Sequence, residues 1–156
     1  MTFRLLLLLL AQPHSHPSFN THTSTRLQQI CPGVKIRFLP PGFLRGLTFE
    51  AGQPAPTPRE LATGYVIAAV TPVQAGVHEW EQMAGETLFT DFTHGLSGDG
   101  ETCLLWLLSN SAIGSLPLGL CLSNLKSIGG VAECYRALQG LFPAAAFFGR
   151  GAALGE

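Results

Sequence analysis

Between residues 87 and 142 the chain repeats one pattern three times and then changes it, and that change limits the folds open to it. Residues 87–94, 101–110 and 116–123 are apolar runs of strand length. Gly-Leu-Ser-Gly-Asp-Gly at 95–100 parts the first two, and a short turn at 111–114 parts the second from the third. Strands joined by links this short pair antiparallel, as hairpins. In residues 129–142 the apolar positions switch to helical spacing, so that Val131, Cys134, Tyr135, Leu138, Leu141 and Phe142 share one face. Pro143 ends that helix. The order β-β-β-α predicts an α/β unit of the α+β kind, an antiparallel three-stranded meander with a helix laid across it.

Ahead of this unit the chain is irregular. Val34, Ile36 and Phe38 alternate with Lys35 and Arg37, which predicts a half-buried strand over 34–39, stopped by Pro40, Pro41 and Gly42. Gly-Gln-Pro-Ala-Pro-Thr-Pro at 52–58 reads as a spacer and a segment boundary. Residues 66–70 are apolar and partly β-branched, favouring a strand, and 77–84 suit a short helix with Trp80 on its apolar side. The expected division is a leader at 1–27, an irregular Pro/Gly-rich segment at 28–58, a connecting α/β segment at 59–85, and the meander-plus-helix unit at 86–156. In the leader, Arg4 and the leucines at 5–10 have the order of a signal peptide, but the run is too short to cross a bilayer. His14, His16 and His22 lie in a polar stretch with no predicted element to aim them at a metal, so a solvated, disordered leader is expected there.

Composition narrows the function classes. The net charge is −1 and the nine basic residues are scattered, so no basic stripe offers itself to phosphates. Only 12 % of residues are charged against 46 % hydrophobic, which suits a segment that packs against more protein. Cys31, Cys103, Cys121 and Cys134 include no C-x-x-C pair, so a zinc site is not indicated; the last three are expected as small core residues.

Asp91 is the acid that stands out, placed mid-strand among Leu88, Phe89, Phe92 and Thr93. A charge there costs free energy unless it is paired, holds a metal or faces water. Asp99 and Glu101 lie roughly 25 Å from it along an extended chain at about 3.3 Å per residue. Hairpin pairing through the 95–100 turn would set Asp91 near Leu104, which offers no ligand oxygen. Glu133, at about 100° per helical residue, points away from the apolar face and is expected in solvent. His94 reads as a surface hydrogen-bonding residue, and Gly149-Arg150-Gly151 lacks the Lys-Ser/Thr of a phosphate loop.

Thr90-Asp91-Phe92-Thr93-His94-Gly95-Leu96 resembles the first catalytic strand of MULE-type (Mutator-like) transposases. Gly114-Ser115-Leu116-Pro117-Leu118-Gly119-Leu120 is similar to that family's third strand, with Ser123-Asn124-Leu125-Lys126-Ser127 as its turn into the helix. Leu141-Phe142-Pro143 and Ala146-Phe147-Phe148-Gly149-Arg150-Gly151 resemble the helix end and the segment that introduces the fourth strand. The resemblance implies a partial RNase H-like fold and DDE transposition, in which three carboxylates hold two Mg²⁺ or Mn²⁺ ions about 3.5–4 Å apart against a DNA phosphodiester. It makes Asp91 the first catalytic and metal-binding acid, DNA the partner and the nucleus the location. The second and third acids of the family pattern are expected past Glu156, so this stretch is expected to be an inactive fragment by itself. The alternative expectation is a small non-enzymatic binding protein, secreted if the leucine run is a signal peptide.

Overall fold

The computed structural model describes residues 21–49, 55–80, 88–94, 96, 100–111 and 114–143. Five strands make one sheet: β1 (Lys35–Leu39), β2 (Val66–Val70), β3 (Leu88–Thr93), β4 (Cys103–Ser111) and β5 (Gly114–Ser123). Its order is β1-β2-β5-β4-β3 with every neighbouring pair antiparallel. The expected meander is therefore present as β3-β4-β5, and β2 and β1 extend the same sheet beyond β5. The helices are α1 (Thr21–Ile30), α2 (Pro58–Thr63), α3 (Pro72–Trp80) and α4 (Ile128–Gln139), with a short 3₁₀ turn at Phe43–Gly46. The protein is mixed α+β, and no described helix is long and apolar enough to cross a membrane.

Local sequence accounts for most of these elements. Thr57-Pro58-Arg59-Glu60 and Thr71-Pro72-Val73-Gln74 repeat one helix-start signal: a threonine cap, a proline in the first turn and a Glu or Gln three residues on. In both, the cap oxygen accepts from the backbone N–H of the third residue (3.2 Å at Glu60, 3.3 Å at Gln74), and that residue's side chain accepts from the cap N–H at 2.8 Å. Thus α3 starts at Pro72, ahead of the 77–84 span that periodicity predicts. Helix α1 occupies part of the expected disordered leader. No proline or glycine falls between Ser18 and Cys31, and the helix stops before Pro32 and Gly33, the latter at φ 80°.

β2 is buried along its whole length, and its neighbour β5 is buried from Leu118 to Ser123. Alternation sorts the core into two layers. Val66, Ala68, Val70, Leu105, Leu107 and Cys121 face α3 and α4, where they meet Val77, Cys134, Ala137 and Leu138. Tyr65, Ile67, Ala69, Leu104, Leu120 and Leu122 form the opposite face. Gly119 permits α4 to lie close: a Cβ there would stand 3.0 Å from Leu138 Cδ2. Pro117 is tolerated in β5 because β2 pairs only with Leu120–Leu122 and Ser123, leaving that end of β5 bonded on one side.

Two sequence expectations shift by a measurable amount. Helix α4 ends at Gln139, with Gly140 as its C-cap, three residues short of Phe142. The β3–β4 hairpin sets Asp91 opposite Trp106, two residues beyond the expected Leu104. The cause is loop length: β4 begins at Cys103, so the connection runs from His94 to Thr102 and is wider than the 95–100 turn alone.

Gly64 tests the packing between α2 and the turn after β5. A Cβ there would lie 2.4 Å from the Glu60 carbonyl oxygen and 2.6 Å from Leu125 Cδ2. Gly64→Ala is expected to destabilise the fold by roughly 1–3 kcal/mol, read as a lower urea midpoint with an unchanged slope.

Candidate functional site

Asp91 sits on β3, at the edge of the sheet. Its side chain falls in the row Ile36–Ala69–Leu120–Trp106–Asp91, on the face turned away from α3 and α4. Asp91 is exposed, its neighbour two residues back on the same face, Phe89, is 45 % exposed, and Trp106 across the hairpin is half-buried. An exposed carboxylate on a wet sheet edge is stable without a counter-ion, so the strand tolerates it. His94 follows on the loop and stacks on Phe92, ring centroids 6.2 Å apart at 13°. Phe92 belongs to the helix-facing layer, so this stacked pair does not share a face with Asp91.

None of the other acids weighed in the sequence joins Asp91. Glu101, two residues ahead of β4, is held by Arg59 at 3.3 Å and Lys126 at 3.4 Å. Glu133 lies on α4, over the opposite face of the sheet. It is also buried, at 7 % exposure, which corrects the expectation that it faces solvent. The buried arc of α4 includes Gly130 and Ala137 alongside Cys134 and Leu138. These small residues let the helix roll toward its Gly130–Ala137 side, which carries Glu133 inward, where its carboxylate pairs with Arg136. Asp99 and Gly149-Arg150-Gly151 lie outside the described residues, as do His14, His16 and the leucine run.

Among the described residues no group of three or more His, Cys, Asp or Glu side chains is placed to hold a metal ion. Mg²⁺ and Mn²⁺ need several oxygen ligands at short range, and Asp91 supplies one carboxylate. The described residues therefore do not fit the pair of ions that the transposase resemblance implies. The cysteines behave as expected of core residues. Cys103, Cys121 and Cys134 are buried free thiols, and burial pushes the Cys103 and Cys121 thiols up from their ordinary range. Cys103 Sγ donates to the Ser123 carbonyl at 3.2 Å and Cys121 Sγ to the Cys134 carbonyl at 3.7 Å.

The most organised polar cluster is one that the sequence reading passed over. Glu60 is 6 % exposed and accepts from the backbone N–H groups of Lys126 (2.6 Å), Ser127 (2.8 Å) and Thr57 (2.8 Å), and from Thr57 Oγ1 (3.0 Å). Burial works against its charge, but the N–H donors of Ser127, Lys126 and Thr57 more than offset this and bring the carboxyl down to about 2 from 4.5. Glu60, Glu101, Asn124 and Lys126 line an open cleft of ≈ 360 Å³. Each charged group there already has partners, and Ser127 Oγ accepts from Gly130 N at 3.1 Å as the cap of α4. The cluster ties α2 to the β5–α4 turn; it has no nucleophile beside a free base. The signal that finds it is the Thr57–Glu60 capping box.

Since the carboxyl of Glu60 is lowered on folding, its contribution is fully present above about pH 4.5 and is lost as pH falls toward 2. At about 1.4 kcal/mol per pH unit, the depression corresponds to roughly 3.5 kcal/mol as an upper value. Glu60→Gln is expected to lose roughly 2–3 kcal/mol at pH 7 and to close on the parent protein near pH 2, measured by urea unfolding across that range. No family model, curated protein or solved structure matches this chain.

Proposed function

We propose that residues 86 onward are the opening part of an RNase H-like catalytic domain of the MULE transposase kind, a fragment that does not act by itself. In that reading Asp91 is the first of three metal-holding acids, and the substrate of the whole domain is a DNA phosphodiester. The observation that supports it most is the succession of consecutive antiparallel strands β3-β4-β5 into helix α4, with Asp91 exposed in the middle of β3. Of the family-like stretches, residues 90–93 lie on β3, 114–120 on β5 and 123–127 at the end of β5 and in the turn into α4, while 146–151 lie outside the described residues. Because the described residues supply a single acid on that face, the chemistry needs carboxylates brought by further chain, and no catalytic step belongs to Asp91 alone. The net charge of −1 likewise assigns the grip on DNA to other parts of an intact protein.

A second reading, a non-catalytic interaction protein, draws on the outer edge of β3, which pairs with no strand among the described residues.

The reading is tested by translating the genomic DNA downstream of the Glu156 codon and producing the extended protein. The expected result is an apolar strand ending in Asp, then a helical stretch with a third acid, and Mn²⁺-dependent DNA nicking that Asp91→Asn abolishes. An extended protein that nicks DNA equally well with Asn at position 91, or a downstream sequence without either acid, removes Asp91 from the chemistry.

A further inference from the structure

The two edges of the sheet are unlike. On β3 the outward row includes Asp91, with Phe89 and Thr93 on the same face. On β1, Lys35 and Arg37 are exposed, and they share a face with Leu39. That face is the helix side: Leu39 packs against the layer under α4, and Arg37 Nη1 takes the space that a Cβ on Gly140 would fill. The basic edge and the acidic edge therefore present their charges on opposite faces of one molecule.

Strand direction alternates along β1-β2-β5-β4-β3, so β1 and β3 run the same way. A second copy can add its β1 antiparallel to β3 only after a half-turn about an in-plane axis perpendicular to the strands. That operation also exchanges the two faces. It brings Lys35, Arg37 and Leu39 of the second copy to the side occupied by Phe89, Asp91 and Thr93 of the first.

We propose that this chain associates with itself edge to edge, β3 of one copy pairing antiparallel with β1 of the next. The register that uses all of β1 sets Phe89 opposite Leu39, Thr90 opposite Phe38, Asp91 opposite Arg37, Phe92 opposite Ile36 and Thr93 opposite Lys35. It matches an acid with a base at the centre and aromatic with aliphatic side chains on either side, which are the favourable cross-strand pairs. The symmetric alternatives lack this match. Pairing β3 with β3 sets Asp91 against Asp91, Phe89 or Thr93, and pairing β1 with β1 sets Arg37 against Arg37, Lys35 or Leu39. The contact is heterologous: each pairing leaves one β1 and one β3 open, so copies add as a row and do not close as a dimer. The inference does not rest on the transposase reading, and no metal enters it.

The test is sedimentation velocity on the full 156-residue chain over a dilution series, with Asp91→Arg, Arg37→Asp and the double exchange, each checked by circular dichroism. Expected are species larger than a monomer that grow with concentration, association weakened roughly tenfold in each single variant, and recovery in the double variant. A wild-type chain that stays monomeric throughout, single variants that associate like wild type, or a double variant that fails to recover would overturn the proposal. Hydrogen exchange on the wild-type chain is independent of whether the variants fold. With rising concentration the amides of 35–39 and 88–93 gain protection while those of 120–123 do not change; protection elsewhere, or none, also overturns it.

Discussion

The rest of the structure depends on the last four residues of β5. Leu120, Cys121, Leu122 and Ser123 are bonded to β2 on one side and β4 on the other, and all four are buried. Cys121 meets α4 on one face while Leu120 and Leu122 build the opposite layer. The strand closes on a buried hydroxyl: Ser123 Oγ donates to the Tyr65 carbonyl at 2.8 Å and accepts from Leu125 N at 3.0 Å. Asn124 adds a second tie to β2, its Oδ1 accepting from Tyr65 N at 3.0 Å. Paired polar groups at this depth fix where the strand must stop, because any slip would leave them buried without partners. The N–H groups freed by the turn then go to Glu60, and Ser127 starts α4.

With β5 fixed, alternation distributes the acids. Once Cys121 faces α4, the bonded registers carry that face through Leu105 to Phe92, and Asp91 must look the other way. Glu133 and Asp91 are separated by the thickness of the sheet, and Glu101 is held at the strand end by Arg59 and Lys126. A one-residue slip of β3 would reverse this, but it would also set the carboxylate in the place where Phe92 packs against the helix-side core. The same alternation sets the basic residues of β1 on the helix face and Asp91 on the other, so the two charged edges are complementary only between copies.

Much of this was legible in the sequence, for identifiable reasons. The three strands and the helix of 86–142 show because their periods differ and their links are short. The β2 strand shows as an apolar run between Gly64 and Pro72. The sheet order does not show: β1 and β2 join β5 through contacts between residues far apart in sequence, which no local pattern encodes. The hairpin register differs by two residues from the expected one because Gly95 and Gly100 mark a turn without fixing how many residues the loop spends. The side of Glu133 does not show because large apolar residues alone do not define the helical face: Gly130 and Ala137 are buried through their small size. Asp91 was recognisable as an acid within an apolar strand, but its face follows from pairing, which the strand's own residues do not state. The Glu60 junction was readable as a capping box; that its carboxylate also receives Lys126 and Ser127 was not.

Asp91 stands on the sheet edge with its side chain turned away from α4. Cross-strand nuclear Overhauser contacts in the isotope-labelled chain test it most directly. Contacts are expected from Asp91 to Trp106 and from Trp106 to Leu120, with none from the Asp91 side chain to α4. Contacts pairing Asp91 with Leu104, or linking its side chain to Cys134 or Leu138, would contradict the register and move the acid to the other face.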